Sequence, residues 1–200
     1  MVAFLFTALF CLGSSTACHW FYAKEKRLCR MLTTLDYWGI TTLILGTSYP
    51  FISYRYACGY LVVYRYIFVV ILTLITVACM VVTMYPAFLR VGPKAILFIS
   101  FGFFCFVPTI VLYLLDDPDY GLHPGLAPFT WSSMSYLIGL TFYATKFPER
   151  LSTTGRFDLI FSSHQIHHIC VLIGVTLSFL EGFDVYQDRL AFVCPDQKAA

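Results

Sequence analysis

Six stretches of this chain contain no Asp, Glu, Lys or Arg: Val2 to Ala23, Tyr37 to Tyr54, Tyr66 to Leu89, Ala95 to Leu115, Gly125 to Thr145 and Leu159 to Leu180. Each runs 18 to 24 residues, and a helix of about 20 apolar residues crosses the hydrocarbon of a bilayer. Membrane-spanning strands would be about half as long and would alternate in polarity. The pattern therefore predicts an all-α, polytopic transmembrane bundle of six spans forming a single domain over residues 1–200. Pro50, with Ser48 and Tyr49 before it, weakens the outer end of the second span.

Composition agrees with this pattern. Hydrophobic residues make up 59% of the 200 and charged residues 12%, with a mean hydropathy of +0.76, whereas soluble domains carry about 25% charge. A net charge of +2 gives no basis for nucleic-acid binding. The first span lacks a basic segment before it and continues through Trp20 and Phe21 to a basic cluster, so an uncleaved helix is expected rather than a secretory signal, despite the small residues Ser15-Thr16-Ala17.

Orientation follows from the basic residues, which accumulate on the cytoplasmic side. The loops after spans one, three and five hold Lys24, Lys26, Arg27, Arg30, Arg90, Lys94, Lys146, Arg150 and Arg156. The opposite side holds Arg55, Arg65, Arg189 and Lys198, with the acidic run Asp116, Asp117 and Asp119. These counts predict cytoplasmic loops after spans one, three and five and a C-terminus that is extracellular or lumenal. Cys58 and Cys194 both fall on that outer side, where a disulfide is chemically permitted.

Polar groups inside a membrane are costly and mark candidate function. His19 near the end of span one, Asp36 at the start of span two, and His164, His167 and His168 at the start of span six all fall at the inner level. His123 lies in the outer acidic loop. Imidazole is a common zinc ligand, and a catalytic zinc site has three protein ligands and one open position. Residues four apart share a helix face, so His164 and His168 can reach one ion with His19 from another helix. His167 with His164 is a rival pair. Taken singly, His19 could bond an interfacial carbonyl and Asp36 could cap the second helix.

The strings Ser15-Thr16-Ala17-Cys18-His19, Leu35-Asp36-Tyr37-Trp38-Gly39-Ile40, Phe147-Pro148-Glu149-Arg150, Gly155-Arg156-Phe157-Asp158 and Ser163-His164-Gln165-Ile166-His167-His168 resemble the progestin and adipoQ receptor family. That family includes the adiponectin receptors and is related to the haemolysin-III proteins. The resemblance implies a seven-helix bundle, inverted relative to G-protein-coupled receptors, with zinc near the cytoplasmic face. It carries the three ligands onto His19, His164 and His168, the water-holding aspartate onto Asp36 and a serine onto Ser15. Family members have a helix before the Ser-x-x-x-His element, whereas this chain opens on that element's helix, so a six-helix form is expected.

The activity implied is zinc-dependent hydrolysis of a lipid amide such as ceramide, with a membrane lipid or sphingolipid as substrate. Three neutral imidazoles would leave the ion able to lower the pKa of bound water toward about 7. Asp36 is then the expected general base, with Ser15 helping to stabilise the oxyanion. The competing expectation is a non-enzymatic membrane receptor with structural zinc and an extracellular or lumenal ligand. A transporter would string charges through the bilayer, and this sequence keeps them at one level.

Overall fold

The structure is a computed structural model that describes residues 1–21, 25–85, 91–115, 127–151, 157 and 160–194. It contains α1 (Val2–Phe21), α2 (Lys26–Arg55), α3 (Leu61–Thr83), α4 (Val91–Phe104), α5 (Val107–Leu115), α6 (Ala127–Thr145) and α7 (Ser163–Ala191), and no strand among the described residues. Among the described residues, four stretches are long and apolar enough to cross a membrane: Val2–Phe21, Leu61–Thr83, Gly92–Leu115 and Ser163–Ala191. The acidic run from Asp116, His123 and the basic residues Lys24, Arg90, Arg156 and Lys198 lie outside the described residues.

The helices differ from the charge-free stretches in instructive ways. Helix α2 is 30 residues long, starting at Lys26 and passing through Pro50 to Arg55. Just before the proline, the Thr47 and Ser48 hydroxyls both donate to the carbonyl of Ile44 at 2.8 and 3.1 Å; proline inside a helix is tolerated in membrane bundles. Helix α7 runs past Leu180 to Ala191. A charge-free run marks only the part of a helix that must lie in hydrocarbon, while charged ends can continue the same helix. The fourth stretch is broken at Cys105 and Phe106. Pro108, lacking an N–H, cannot extend the α4 ladder, and the chain tightens into i+3 bonds before resuming as α5.

Helix α2 is central. On one side it packs with α3, α4 and α5 around Ile52, Tyr56, Leu61, Leu72, Phe101 and Leu112. On the other, Leu43 meets Phe4, Ala8 and Cys11 of α1, with Tyr136, Val171 and Phe179 of α6 and α7 against them. Trp38 donates its indole N–H to the Met80 carbonyl at 3.1 Å, tying α2 to α3.

The closest helix pairs are α1 with α2 and α6 with α7. Both depend on small residues that let backbones approach. A Cβ at Gly46 would lie 1.9 Å from Thr7 Oγ1 and 2.8 Å from Thr7 Cβ, and one at Gly139 would lie 2.6 Å from Cys170 Cβ. Gly46→Ala is therefore expected to cost about 1–3 kcal/mol through overpacking. Denaturation in detergent should show the loss, with partial recovery on adding Thr7→Gly; an unaltered midpoint in the single variant would show that the contact is not tight.

At the end remote from His19 and His164, Cys58 and Cys194 form a disulfide with a Cα–Cα distance of 5.6 Å, joining the two cysteines for which the sequence permitted one. It joins the α2–α3 connection to the segment after α7. Nearby, Arg55 is buried with Asp188 as an electrostatic partner.

Candidate metal centre

Helix α1 delivers His19 in its last turn, and α7 delivers His164 and His168 in its first two. The start of α7 is encoded locally by a capping box. Ser162 Oγ accepts from the Gln165 N–H at 3.3 Å, and Gln165 Oε1 accepts from the Ser162 N–H at 3.2 Å. This fixes where the helix begins, and so places His164 and His168 on one face. Glu149 adds a second anchor, accepting from both the N–H and the hydroxyl of Ser163 at 2.7 and 2.9 Å. Desolvation pushes the Glu149 carboxyl up, but its hydrogen bonds and the Lys146 charge prevail and hold it below the usual carboxylate value.

The three imidazoles converge through Nε2. His164 Nε2 lies 3.0 Å from His19 Nε2 and 3.2 Å from His168 Nε2, and all three ligand atoms fall within 4.8 Å of one another. Their rings stand nearly at right angles in pairs, at 71°, 87° and 86°. Nitrogens held tetrahedrally at 2.0–2.1 Å from one zinc ion would be about 3.3–3.4 Å apart. Two of the three separations are close to that value and the remaining pair falls within 4.8 Å, so the donor set could hold a metal ion. His167 is not in the cluster. It faces α6, where its ring lies 5.5 Å from Tyr143 and its Nδ1 would be 3.2 Å from a Cβ at Gly139.

The cluster opens into a cavity of about 550 Å³ walled by α1, α2, α4, α6 and α7, within the size range of small-molecule sites. Ser15, Asp36, Tyr37, Lys94 and Tyr143 join the histidines in lining it, and its lining continues along α7 to Ser178. His164 to Ser178 spans about 21 Å at 1.5 Å per residue. Between them the walls are mainly apolar, including Leu43, Phe98, Leu137 and Val171.

Asp36 does not cap α2, whose N-cap is Glu25; it lies well within the helix and lines the cavity. Ser15 is buried, and its hydroxyl oxygen makes no hydrogen bond of ordinary geometry among the described residues, although Asp36 is close enough to feel it.

Lys94, which the sequence placed in a loop, is in the first turn of α4. It is buried, bonded through Nζ to the Tyr37 hydroxyl, and sits 4.1 Å from the centre of that ring. Its position immediately before an apolar run was the available signal. Glu181 was also missed, because the last charge-free stretch stops one residue before it. It is buried in α7, with one carboxylate oxygen 2.7 Å from Ser132 Oγ and the other 3.3 Å from the Ser132 N–H.

The fold and site define a multi-pass integral membrane protein with a three-histidine cluster at one end of an intramembrane cavity. A family model described as "Haemolysin-III related" matches residues 1–179, and the chain belongs to that family. It is similar to "Progestin and adipoQ receptor-like protein 1" of Caenorhabditis elegans, 32% identical over 196 residues covering 94% of this chain and 44% of the relative. The "Heptahelical transmembrane protein ADIPOR1" of Oryza sativa subsp. japonica is 32% identical over 195 residues, 96% of this chain and 51% of the relative. The "Adiponectin receptor protein" of Drosophila melanogaster is 30% identical over 187 residues, 88% and 40% respectively. The chain spans about half the length of these curated relatives.

Proposed function

We propose that this protein is a zinc-dependent hydrolase of a membrane lipid amide of the ceramide type, with the site at the cytoplasmic level of the bundle. The observation that carries this reading is the gathering of the His19, His164 and His168 Nε2 atoms within 4.8 Å of one another, at the end of a long apolar cavity that Asp36 also lines.

The ligand set favours zinc. Three neutral imidazoles suit zinc among several transition metals, and three protein ligands with one place free is the arrangement of catalytic rather than structural zinc. Bound zinc supplies Lewis acidity, acidifying water and polarising a carbonyl. Asp36 is the carboxylate placed to accept a proton from the attacking water and return it to the departing amine nitrogen. The Ser15 hydroxyl, which lines the cavity with Asp36, is a donor available to the carbonyl oxygen as charge develops on it. Water adds to the amide carbon, the C–N bond breaks, and a fatty acid and an amine leave.

The cavity supports a lipid substrate. Its length along α7, about 21 Å, is some two-thirds of the hydrocarbon thickness, and its walls match an acyl chain. Lys94, with Tyr37, supplies a cation beside the reacting end.

The orientation rests on two independent features. Lys26, Arg27, Arg30, Lys146 and Arg150 lie at the histidine end, and the Cys58–Cys194 disulfide lies at the other. Disulfides persist in oxidising compartments, so that end belongs outside or in a lumen. The names of the relatives add the expectation of a ligand there, which makes a receptor that is also a hydrolase.

Metal analysis of detergent-purified protein tests the reading. One zinc per chain is expected in the unmutated protein and in His167→Ala, and none in His168→Ala. Ceramide cleavage should disappear in His164→Ala; turnover undiminished in that variant, or absence of metal from the unmutated protein, would sink the proposal. Full zinc with no amide cleavage would leave the ion a structural role.

A further inference from the structure

Glu149 has no part in the chemistry above, yet it is joined to it through one residue. It opens the 3₁₀ turn Glu149–Leu151 that follows α6, and its Oε1 takes both donors of Ser163. Ser163 is buried, begins α7, and is followed directly by His164. The other carboxylate oxygen is buried and makes no hydrogen bond of ordinary geometry among the described residues, and His164 is near enough to feel the Glu149 charge.

The first turn of any helix lacks intrahelical acceptors for its N–H groups and frays unless they are satisfied. Here the Ser162 side chain serves Gln165 and Glu149 serves Ser163. His164 projects from this turn, whereas His168 belongs to the next. Loosening the turn would therefore remove one ligand of three and leave the pair His19 and His168. A carboxylate at this place also suits the positive end of the helix dipole and lies beside a site whose three ligands bring no negative charge.

We propose that Glu149 is a positioning residue for the metal centre: it clamps the α7 N-terminus through Ser163 and so holds His164 in register with His19 and His168. This inference rests on the metal-binding reading of the three histidines.

Two measurements on purified full-length protein test it. In metal-free protein, hydrogen–deuterium exchange of the amides of Ser163 to Ile166 is expected to quicken about tenfold in Glu149→Ala, the equivalent of losing one charge-assisted hydrogen bond, while Gly174 to Ser178 stay unchanged. Glu149→Gln, which keeps an acceptor oxygen toward Ser163, should recover much of the protection. In Co²⁺ titrations followed by the visible absorption of tetrahedral cobalt, Glu149→Ala should raise Kd about 10–100-fold, the usual effect of removing an outer partner of a metal ligand, and alter the band shape.

Unaltered exchange in Glu149→Ala overturns the clamp. Faster exchange with unmutated Co²⁺ affinity and spectrum overturns the link to His164. Failure of the unmutated protein to bind Co²⁺ overturns the metal reading itself, and is distinguishable because it appears before any substitution is made.

Discussion

Asp36→Asn is expected to reduce lipid amide turnover by about 10²–10⁴-fold, the range attributable to a general acid–base group, while zinc content stays at the level of the unmutated protein. The two effects separate because Asp36 lines the cavity without belonging to the converging nitrogens. Asparagine nearly preserves the shape and can still accept a hydrogen bond, but it cannot take a proton from water and deliver it to nitrogen. The loss should therefore fall on kcat, with KM little changed, because the apolar walls that hold the acyl chain are untouched. Turnover at saturating substrate, measured beside metal content, checks this. Undiminished turnover with full zinc would remove Asp36 from the reaction.

Breaking the disulfide should have the largest effect on stability. Cys58→Ser or Cys194→Ser is expected to lower unfolding free energy by about 2–4 kcal/mol, and the chain-entropy estimate for so long a loop is about 5 kcal/mol. The bridged residues are 136 apart in sequence, so the bond restricts most of the chain in the unfolded state. It also anchors the end of α7 against the α2–α3 connection, the helix that carries two of the three histidines. Denaturant midpoints in detergent, with and without reductant, give the measurement. Metal stoichiometry in the folded variants should be unchanged, because the bridge and the histidines occupy opposite ends. Equal midpoints for oxidised and reduced protein would contradict the expected contribution.

Helix bounds were legible where a charge boundary and a physical boundary coincide. The end of α6 at Thr145 and the end of α5 at Leu115 match the charge-free runs. They diverge for α2, which begins within the basic segment holding Lys26 and Arg30, and for α7, which continues past Asp184 and Arg189. There the helix obeys backbone hydrogen bonding, which tolerates charge, whereas the run obeys only the hydrocarbon, which does not. Glu181 shows the limit most sharply. Nothing in its own surroundings along the chain signals that Ser132, far away in sequence, donates to both of its carboxylate oxygens.

The histidines divide in the same way. Spacing of four on one helix allowed His164 with His168, and spacing of three allowed His164 with His167; both pairs satisfy local geometry. The structure separates them because α7 packs on α6 at Gly139, which turns His167 toward that helix and His164 with His168 toward α1.

By itself the sequence determined that the chain spans a membrane, that His19, Asp36, His164 and His168 share one level, and that Cys58 and Cys194 share the other. Those conclusions follow from hydrocarbon excluding charge and from the fixed rise of a helix, which are properties of single segments. Only tertiary structure decided which histidines meet, that Ser15 and Lys94 face the same cavity as Asp36, and that Glu149 grips the start of α7. Each of these depends on how one helix is rotated against another, and that rotation is set by close contacts between residues distant in the chain.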